Sequence, residues 1–148
     1  MKEMMSNYLI CIILLITSTL FAQPERYTKG AENGYTWLSM ENPGVIYSDA
    51  KYNYLSGMLE RYRTVDERFP EVEHLGCKSD VNKLLEDGKS DELSLEDIVD
   101  AIDKFYSKSE NLVIPIVFAY CYCIKKIAGI SSEKLKEYRE EILEFCGE

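Results

Sequence analysis

Histidine is nearly absent from this sequence, which has one His among 148 residues. Histidine is the usual acid–base group near neutral pH and the commonest metal ligand. One copy leaves little material for histidine-based catalysis or for a multi-histidine metal site. A glycine-rich phosphate-binding loop is also missing from the sequence. The sequence therefore predicts no cofactor, no metal site and no enzymatic activity.

Basic residues are also in short supply, with 17 Lys and Arg against 26 Asp and Glu and a net charge of −9. Nucleic acids and anionic lipid surfaces bind positively charged surfaces. The composition therefore disfavours both kinds of partner. An apolar fraction of 46% with 11% aromatic residues is ordinary for a folded chain, and the length suits one domain.

The first 22 residues have the pattern of a secretory signal peptide. Lys2 gives a weakly positive start, residues 8–21 are apolar apart from three hydroxyl residues, and the chain turns polar at Gln23. We predict a signal peptide over residues 1–22, cleaved after Ala22, and a periplasmic or secreted protein. An uncleaved anchor is the alternative, disfavoured because a membrane span needs about 20 apolar residues.

Cleavage would leave four of the five cysteines, Cys77, Cys121, Cys123 and Cys146. An even number in an oxidising compartment favours at least one disulfide. On a helix, Cys121 and Cys123 point about 200° apart, so they cannot bond to each other. A pairing of Cys146 with Cys123 is strained, because a regular helical hairpin offsets them by about 13 Å. We expect Cys77 to pair with Cys121 or Cys123, or second with Cys146; the alternative is buried, unpaired thiols in the helix.

Hydrophobic periodicity predicts an all-α fold, a small bundle of about five helices. Residues 23–44 are rich in turn formers and are predicted to be irregular. Trp37 is predicted to lie outside any helix as a lid over the core, with an exposed anchor as the alternative. The helical domain would span 45–148. Residues 64–76 are predicted to form a loop. The predicted helices cover residues 45–65, 79–88, 95–108, 111–129 and 131–148.

The helix predicted over 111–129 is apolar on all sides, which is typical of a helix buried at the centre of a domain. Pro115 is expected in its first turn and Gly129 after its end. Ser79 and Ser94 are predicted as the N-caps of the two preceding helices, since a serine hydroxyl can accept a hydrogen bond from a free backbone N–H.

His74 and Cys77 form an H-x-x-C pair in the predicted loop, which raises the hypothesis of an activated thiol. A nucleophile needs a base that a third group orients, and no residue stands at a recognisable spacing for that role. A zinc site of His74, Cys77 and Cys146 is similarly disfavoured, because the usual pair of cysteines in a knuckle is missing. An exposed loop histidine is the simpler interpretation of His74.

Two segments resemble a known family. One segment has a W…K-x-x-Y-x-x-G spacing. The other runs from the helix predicted over 95–108 to the buried helix predicted over 111–129. Together they are distantly similar to the Rap1a/Tai family of periplasmic immunity proteins, over about residues 34–130. The residues that carry the resemblance are Trp37, Lys51, Tyr54, Gly57, Phe105, Tyr106, Asn111 and Pro115.

The resemblance implies a non-enzymatic protein with a protein partner. Members of this family bind and block peptidoglycan amidases that neighbouring cells deliver by type VI secretion, and they can dimerise. It therefore implies a peptidoglycan amidase as partner, a homodimer, and a loop presented to an enzyme cleft, with 66–76 and 87–93 as candidates. The alternatives are a structural or stress-related envelope protein and, last, a small secreted enzyme.

Overall fold

The computed structural model describes residues 25–40, 49–61, 65–89 and 93–147. The predicted signal peptide lies outside them. The described residues contain a two-stranded antiparallel hairpin, β1 (Tyr27–Thr28) and β2 (Ala31–Glu32). They also contain two 3-10 helices, Pro70–Leu75 and Ser109–Asn111, and seven α-helical segments. These are α1 (Gly34–Ser39), α2 (Asp49–Arg61), α3 (Val65–Arg68), α4 (Lys78–Glu86), α5 (Leu95–Tyr106), α6 (Ile116–Ile127) and α7 (Ser132–Gly147).

The fold is all-α, as the periodicity predicts, and α6 is its central helix. Helices α4, α5 and α7 pack around α6, while α2 packs against α5. Burial of α6 on several sides removes a large apolar area from water, which is the main stabilising term of a small domain. Its buried residues are Ile116, Val117, Phe118, Ala119, Cys121, Cys123 and Ile124.

The strongest local signals of the sequence are confirmed in α5 and α7. Ser94 is the N-cap of α5, where its hydroxyl accepts a hydrogen bond from the backbone N–H of Asp97 at 3.2 Å. In α7 the buried face holds Leu135, Tyr138 and Ile142. In α5 the apolar stripe agrees with the cap, and in α7 the apolar stripe alone marks the buried face, so short-range patterns are sufficient to place both helices.

The prediction of an irregular segment over 23–44 is wrong where the structure describes it. Asn33, which counts as a turn former, is the N-cap of α1, and its side chain accepts a hydrogen bond from Tyr35 N–H. A Cβ atom at Gly34 would lie 2.5 Å from the Tyr106 ring, so only glycine permits this approach. Trp37 therefore lies on a helix, and its predicted place over the core is confirmed by its full burial.

The predicted loop 64–76 is also wrong, since it contains α3 and the 3-10 helix Pro70–Leu75. Pro70 and Gly76 suggest a break, but Phe69 and Leu75 are buried and fold the segment onto the core. The predicted cap Ser79 lies inside α4, which begins at Lys78 with Cys77 at its N-cap. These elements depend on tertiary packing rather than on local capping signals.

Helix α6 begins later than predicted, with Pro115 at its N-cap rather than in its first turn. Gly129 follows the helix with a positive φ of 82°, as a C-terminal stop requires. In the part of the chain that the structure describes, no helix is both long enough and apolar enough to span a membrane.

Candidate functional site

A disulfide joins Cys77 to Cys121, with their Cα atoms 5.2 Å apart. This confirms the prediction that Cys77 pairs with one cysteine of the C-x-C pair. Cys123 points elsewhere and is a buried free thiol, and Cys146 is a half-buried one. The bond occupies the Cys77 sulfur, so the structure contradicts both the His74–Cys77 nucleophile and a zinc site that uses Cys77. His74 Nε2 instead lies 2.7 Å from Glu141 Oε1.

Burial protects the two free thiols from ionisation. It raises the pKa of Cys123 to about 12 and that of Cys146 to about 11, with Lys126 and Lys29 opposing the shift weakly. The thiolate is the form that alkylates. We expect the alkylation rate of each thiol in the folded protein to keep rising with pH well above 9, by about tenfold per unit.

Peptide mapping by mass spectrometry after timed iodoacetamide treatment measures the two rates separately. In guanidinium the same thiols should ionise near the ordinary cysteine pKa, so their rates should level off above about pH 9. A plateau near pH 9 for Cys123 in the folded protein would contradict the assigned burial.

Trp37 and Lys51, two of the residues that carry the family resemblance, both bind the carboxylate of Asp103, which no sequence motif marks. Trp37 Nε1 donates a hydrogen bond to Asp103 Oδ1 at 2.6 Å, and Lys51 Nζ donates to the same oxygen at 2.5 Å. The Lys51 ammonium also lies 5.4 Å from the centroid of the Trp37 ring. The Lys51 side chain is only 1% exposed, so its charge needs this pairing inside the fold.

Tyr54 extends this cluster towards the surface. Its ring packs edge-on against Trp37 at 6.3 Å, and its hydroxyl donates a hydrogen bond to Glu32 Oε2 at 3.1 Å. Gly57, one turn further along α2, has no heavy atom within 4 Å of the place where a Cβ would be. The absence of a side chain at Gly57 leaves open space on the surface of α2.

That open space is part of a cavity of about 150 Å³ between the hairpin, α2, α3 and α6. The buried side chains of Ala31, Met58 and Val117 form its floor, and the rest of its lining is mostly polar, with the opposite charges of Glu32 and Arg68. We name it the Gly57 pocket. The Arg68 guanidinium donates a hydrogen bond to the carbonyl oxygen of Gly30, which fixes it beside the hairpin turn. The lining residues are Ala31, Glu32, Asn53, Tyr54, Gly57, Met58, Arg68 and Val117.

The other residues that carry the resemblance lie apart from this pocket and stabilise the connection between α5 and α6. They are Phe105, Tyr106, Asn111 and Pro115. The Tyr106 hydroxyl donates to the carbonyl oxygen of Ile114 at 2.8 Å, and Asn111 Nδ2 donates to that of Phe105 at 2.6 Å. Pro115 forms a backbone bridge with Asn33. Burial raises the pKa of Tyr106 well above its ordinary value, so the phenol stays neutral and donates. These contacts are structural.

The family-like spacing in the sequence includes Trp37, Lys51, Tyr54 and Gly57 but not Asp103, which connects the first two. An acidic residue on an amphipathic helix is usually solvated, and no local signal marks Asp103 as different. Among the described residues, no group of three or more His, Cys, Asp or Glu side chains is arranged to hold a metal ion. The site is therefore a small pocket of mixed polarity, with an apolar floor and one anionic and one cationic side chain in its lining.

Comparison of the chain with protein-family models, with curated proteins and with solved structures finds no match. The similarity to the Rap1a/Tai family therefore stays a prediction from the residues that carry it.

Proposed function

We propose that this chain is an exported, non-enzymatic helical binding protein that recognises a protein partner. The observation that carries the proposal is the size of the Gly57 pocket. Its volume of about 150 Å³ suits one amino-acid side chain, whereas small-molecule sites usually have about 300–1,000 Å³. Protein interfaces obtain most of their binding energy from a few anchors seated in such pockets, and Tyr and Arg are frequent beside them. Tyr54 and Arg68 border this one.

The framework around the pocket is held in place before any partner binds. The pair between Lys51 and Asp103 ties α2, which forms one wall, to α5. The Cys77–Cys121 disulfide ties the start of α4 to α6, which contributes Val117 to the floor. A preorganised pocket loses little conformational entropy on binding, which favours affinity.

We propose a peptidoglycan amidase as the partner, inhibited in the manner of an immunity protein. The support is the resemblance of the Trp37, Lys51, Tyr54 and Gly57 spacing to the Rap1a/Tai family. The net charge of −9 would accelerate association with a basic enzyme surface. The Cys77–Cys121 disulfide is compatible with the oxidising compartment in which such an enzyme acts.

Filling the Gly57 pocket tests the proposal. A leucine at position 57 would extend into the open space and exclude the partner's side chain. We expect Gly57→Leu to weaken binding to a purified type VI peptidoglycan amidase by about thirtyfold, the value of an anchor worth about 2 kcal/mol. Titration calorimetry measures the affinity, and release of peptidoglycan peptides measures the inhibition.

Substitutions at position 57 also distinguish an effect on partner binding from an effect on the stability of the fold. Gly57 lies inside α2, where glycine costs up to about 1 kcal/mol relative to alanine, so Gly57→Ala should stabilise the fold by that order. Gly147→Leu is the matched control, because Gly147 also has open space at its Cβ but does not line the pocket. Unchanged inhibition by the Gly57→Leu variant, or no complex with the wild type, would count against the proposal.

A further inference from the structure

A second and larger concavity lies between α5, α6 and α7, on residues that the proposed function does not use. Its volume is about 420 Å³, within the range of small-molecule sites. Four basic side chains line it, Lys104 and Lys108 from the α5 side, Lys126 from α6 and Arg139 from α7. We name this concavity the cationic groove.

The charge of the cationic groove is opposite to that of the protein as a whole. The chain has a net charge of −9, yet the described residues that line the groove include no Asp or Glu. Arg139 is held in place, since its Nε donates to Asn111 Oδ1 at 2.6 Å and its Nη2 lies 3.5 Å from Glu110. Because Glu110 partly neutralises Arg139, the three lysines supply most of the positive charge that faces the concavity.

The floor of the cationic groove is apolar and aromatic. The rings of Phe105 and Tyr122 meet there with their centroids 4.8 Å apart, and Ala101 and Ile127 complete the lining. Cys123 also contributes, as a neutral thiol that is 3% exposed. A cationic rim over an aromatic floor is complementary to a molecule with an anionic head and an apolar body.

We infer that the cationic groove is a binding site for an amphipathic organic anion. Its carboxylate or phosphate would contact the ammonium groups of Lys104 and Lys126, and its aromatic or aliphatic body would lie on Phe105 and Tyr122. Charge-assisted hydrogen bonds to the anion are the stronger class of hydrogen bond. The inference does not depend on the amidase partner, because the Gly57 pocket is built from other residues.

The stabilisation of helix C-terminal ends by cations explains only two of the four basic residues in the cationic groove. Lys104 and Lys126 occupy the last turns of α5 and α6, where a cation stabilises the C-terminal end. Lys108 follows α5, and Arg139 lies in the middle of α7, so neither has that role. A purely dipolar function would affect the melting temperature and would not produce selective binding of anions.

The test compares three probes with the same phenylbutyl body, namely 4-phenylbutyrate, phenylbutyl phosphate and the neutral 4-phenylbutanol. The full chain is expressed and its product is titrated with each probe by calorimetry at low salt. We expect at least one anion to bind about tenfold more tightly than the alcohol, which is the gain typical of a hydrogen bond to a charged group. Comparison of the carboxylate with the phosphate identifies the preferred head group.

The double variant Lys104→Gln, Lys126→Gln should lose this preference. Lys134→Gln, Lys136→Gln is the matched control, because it removes the same charge from exposed positions on α7 that do not line the groove. Equal affinity for anions and alcohol, an unchanged preference in the first variant, or an equal loss in the control would overturn the inference. Gly57→Leu should leave anion binding unchanged, so failure here and failure of the proposed function are distinguishable.

Discussion

Replacement of Asp103 by asparagine is expected to lower the free energy of unfolding by about 3 kcal/mol, because it removes the carboxylate charge that faces a buried ammonium. Lys51 is 1% exposed, and its Nζ lies 2.5 Å from Asp103 Oδ1. The asparagine oxygen can still accept from Trp37 Nε1, so the charge is the main loss. The Asp103 side chain is 39% exposed, which places the effect at the lower end of the range for a buried ion pair.

Urea unfolding followed by circular dichroism measures this loss. Asp100→Asn is the matched control, since Asp100 is exposed on the same helix, and its change should stay within about 0.5 kcal/mol. Adding Lys51→Met to Asp103→Asn should recover much of the stability, because an apolar side chain of similar length suits the buried position. A loss below about 1 kcal/mol in Asp103→Asn would contradict the importance of the pair.

Removal of the disulfide is expected to have a comparable or larger effect. The bond closes a segment with a sequence separation of 44, and the loss of loop-closure entropy in the unfolded chain predicts about 4 kcal/mol for that length. We expect the Cys77→Ala, Cys121→Ala variant to lose stability of that order. A reducing agent should produce a similar loss in the wild type.

The matched control is Cys123→Ala, Cys146→Ala, which removes two sulfurs but keeps the disulfide. Its loss should stay near about 1 kcal/mol, since only Cys123 is fully buried. Dithiothreitol should lower the urea midpoint of the wild type and of this control, because both contain the disulfide. It should leave the midpoint of Cys77→Ala, Cys121→Ala unchanged. Equal midpoints of the wild type in both conditions would contradict the assignment.

Much of the fold could be predicted from the sequence where local signals agree. Helix α5 has a capping serine at Ser94 and the apolar stripe of Ile98, Val99 and Ile102, and both follow from short-range rules. Helix α6 is recognisable because apolar residues surround it on all sides. The pairing of Cys77 with one of the two helix cysteines is the favoured of the predicted pairings and is confirmed, but the sequence does not show which of the two faces Cys77.

The elements that the sequence does not reveal are those that tertiary contacts create. The 3-10 helix Pro70–Leu75 contains a proline and several charges, and it packs because Leu75 and the preceding Phe69 are buried. Asp103 likewise has the sequence environment of a surface residue. Its role as the partner of Trp37 and Lys51 appears only in the folded structure, because these residues lie 66 and 52 residues earlier in the sequence. Contacts at such separations leave no periodic trace in the chain.

The disulfide also changes what an endoprotease can do to this protein. It closes residues 77–121 into a covalent ring that contains α4, α5 and the segment between them. Exposed connections between helices are the usual sites of proteolytic nicking. A single cut inside this ring produces two polypeptide chains that the disulfide still joins, so the products remain one molecule in an oxidising compartment. In addition to stabilising the fold, the bond therefore keeps the fragments of a nicked molecule covalently joined.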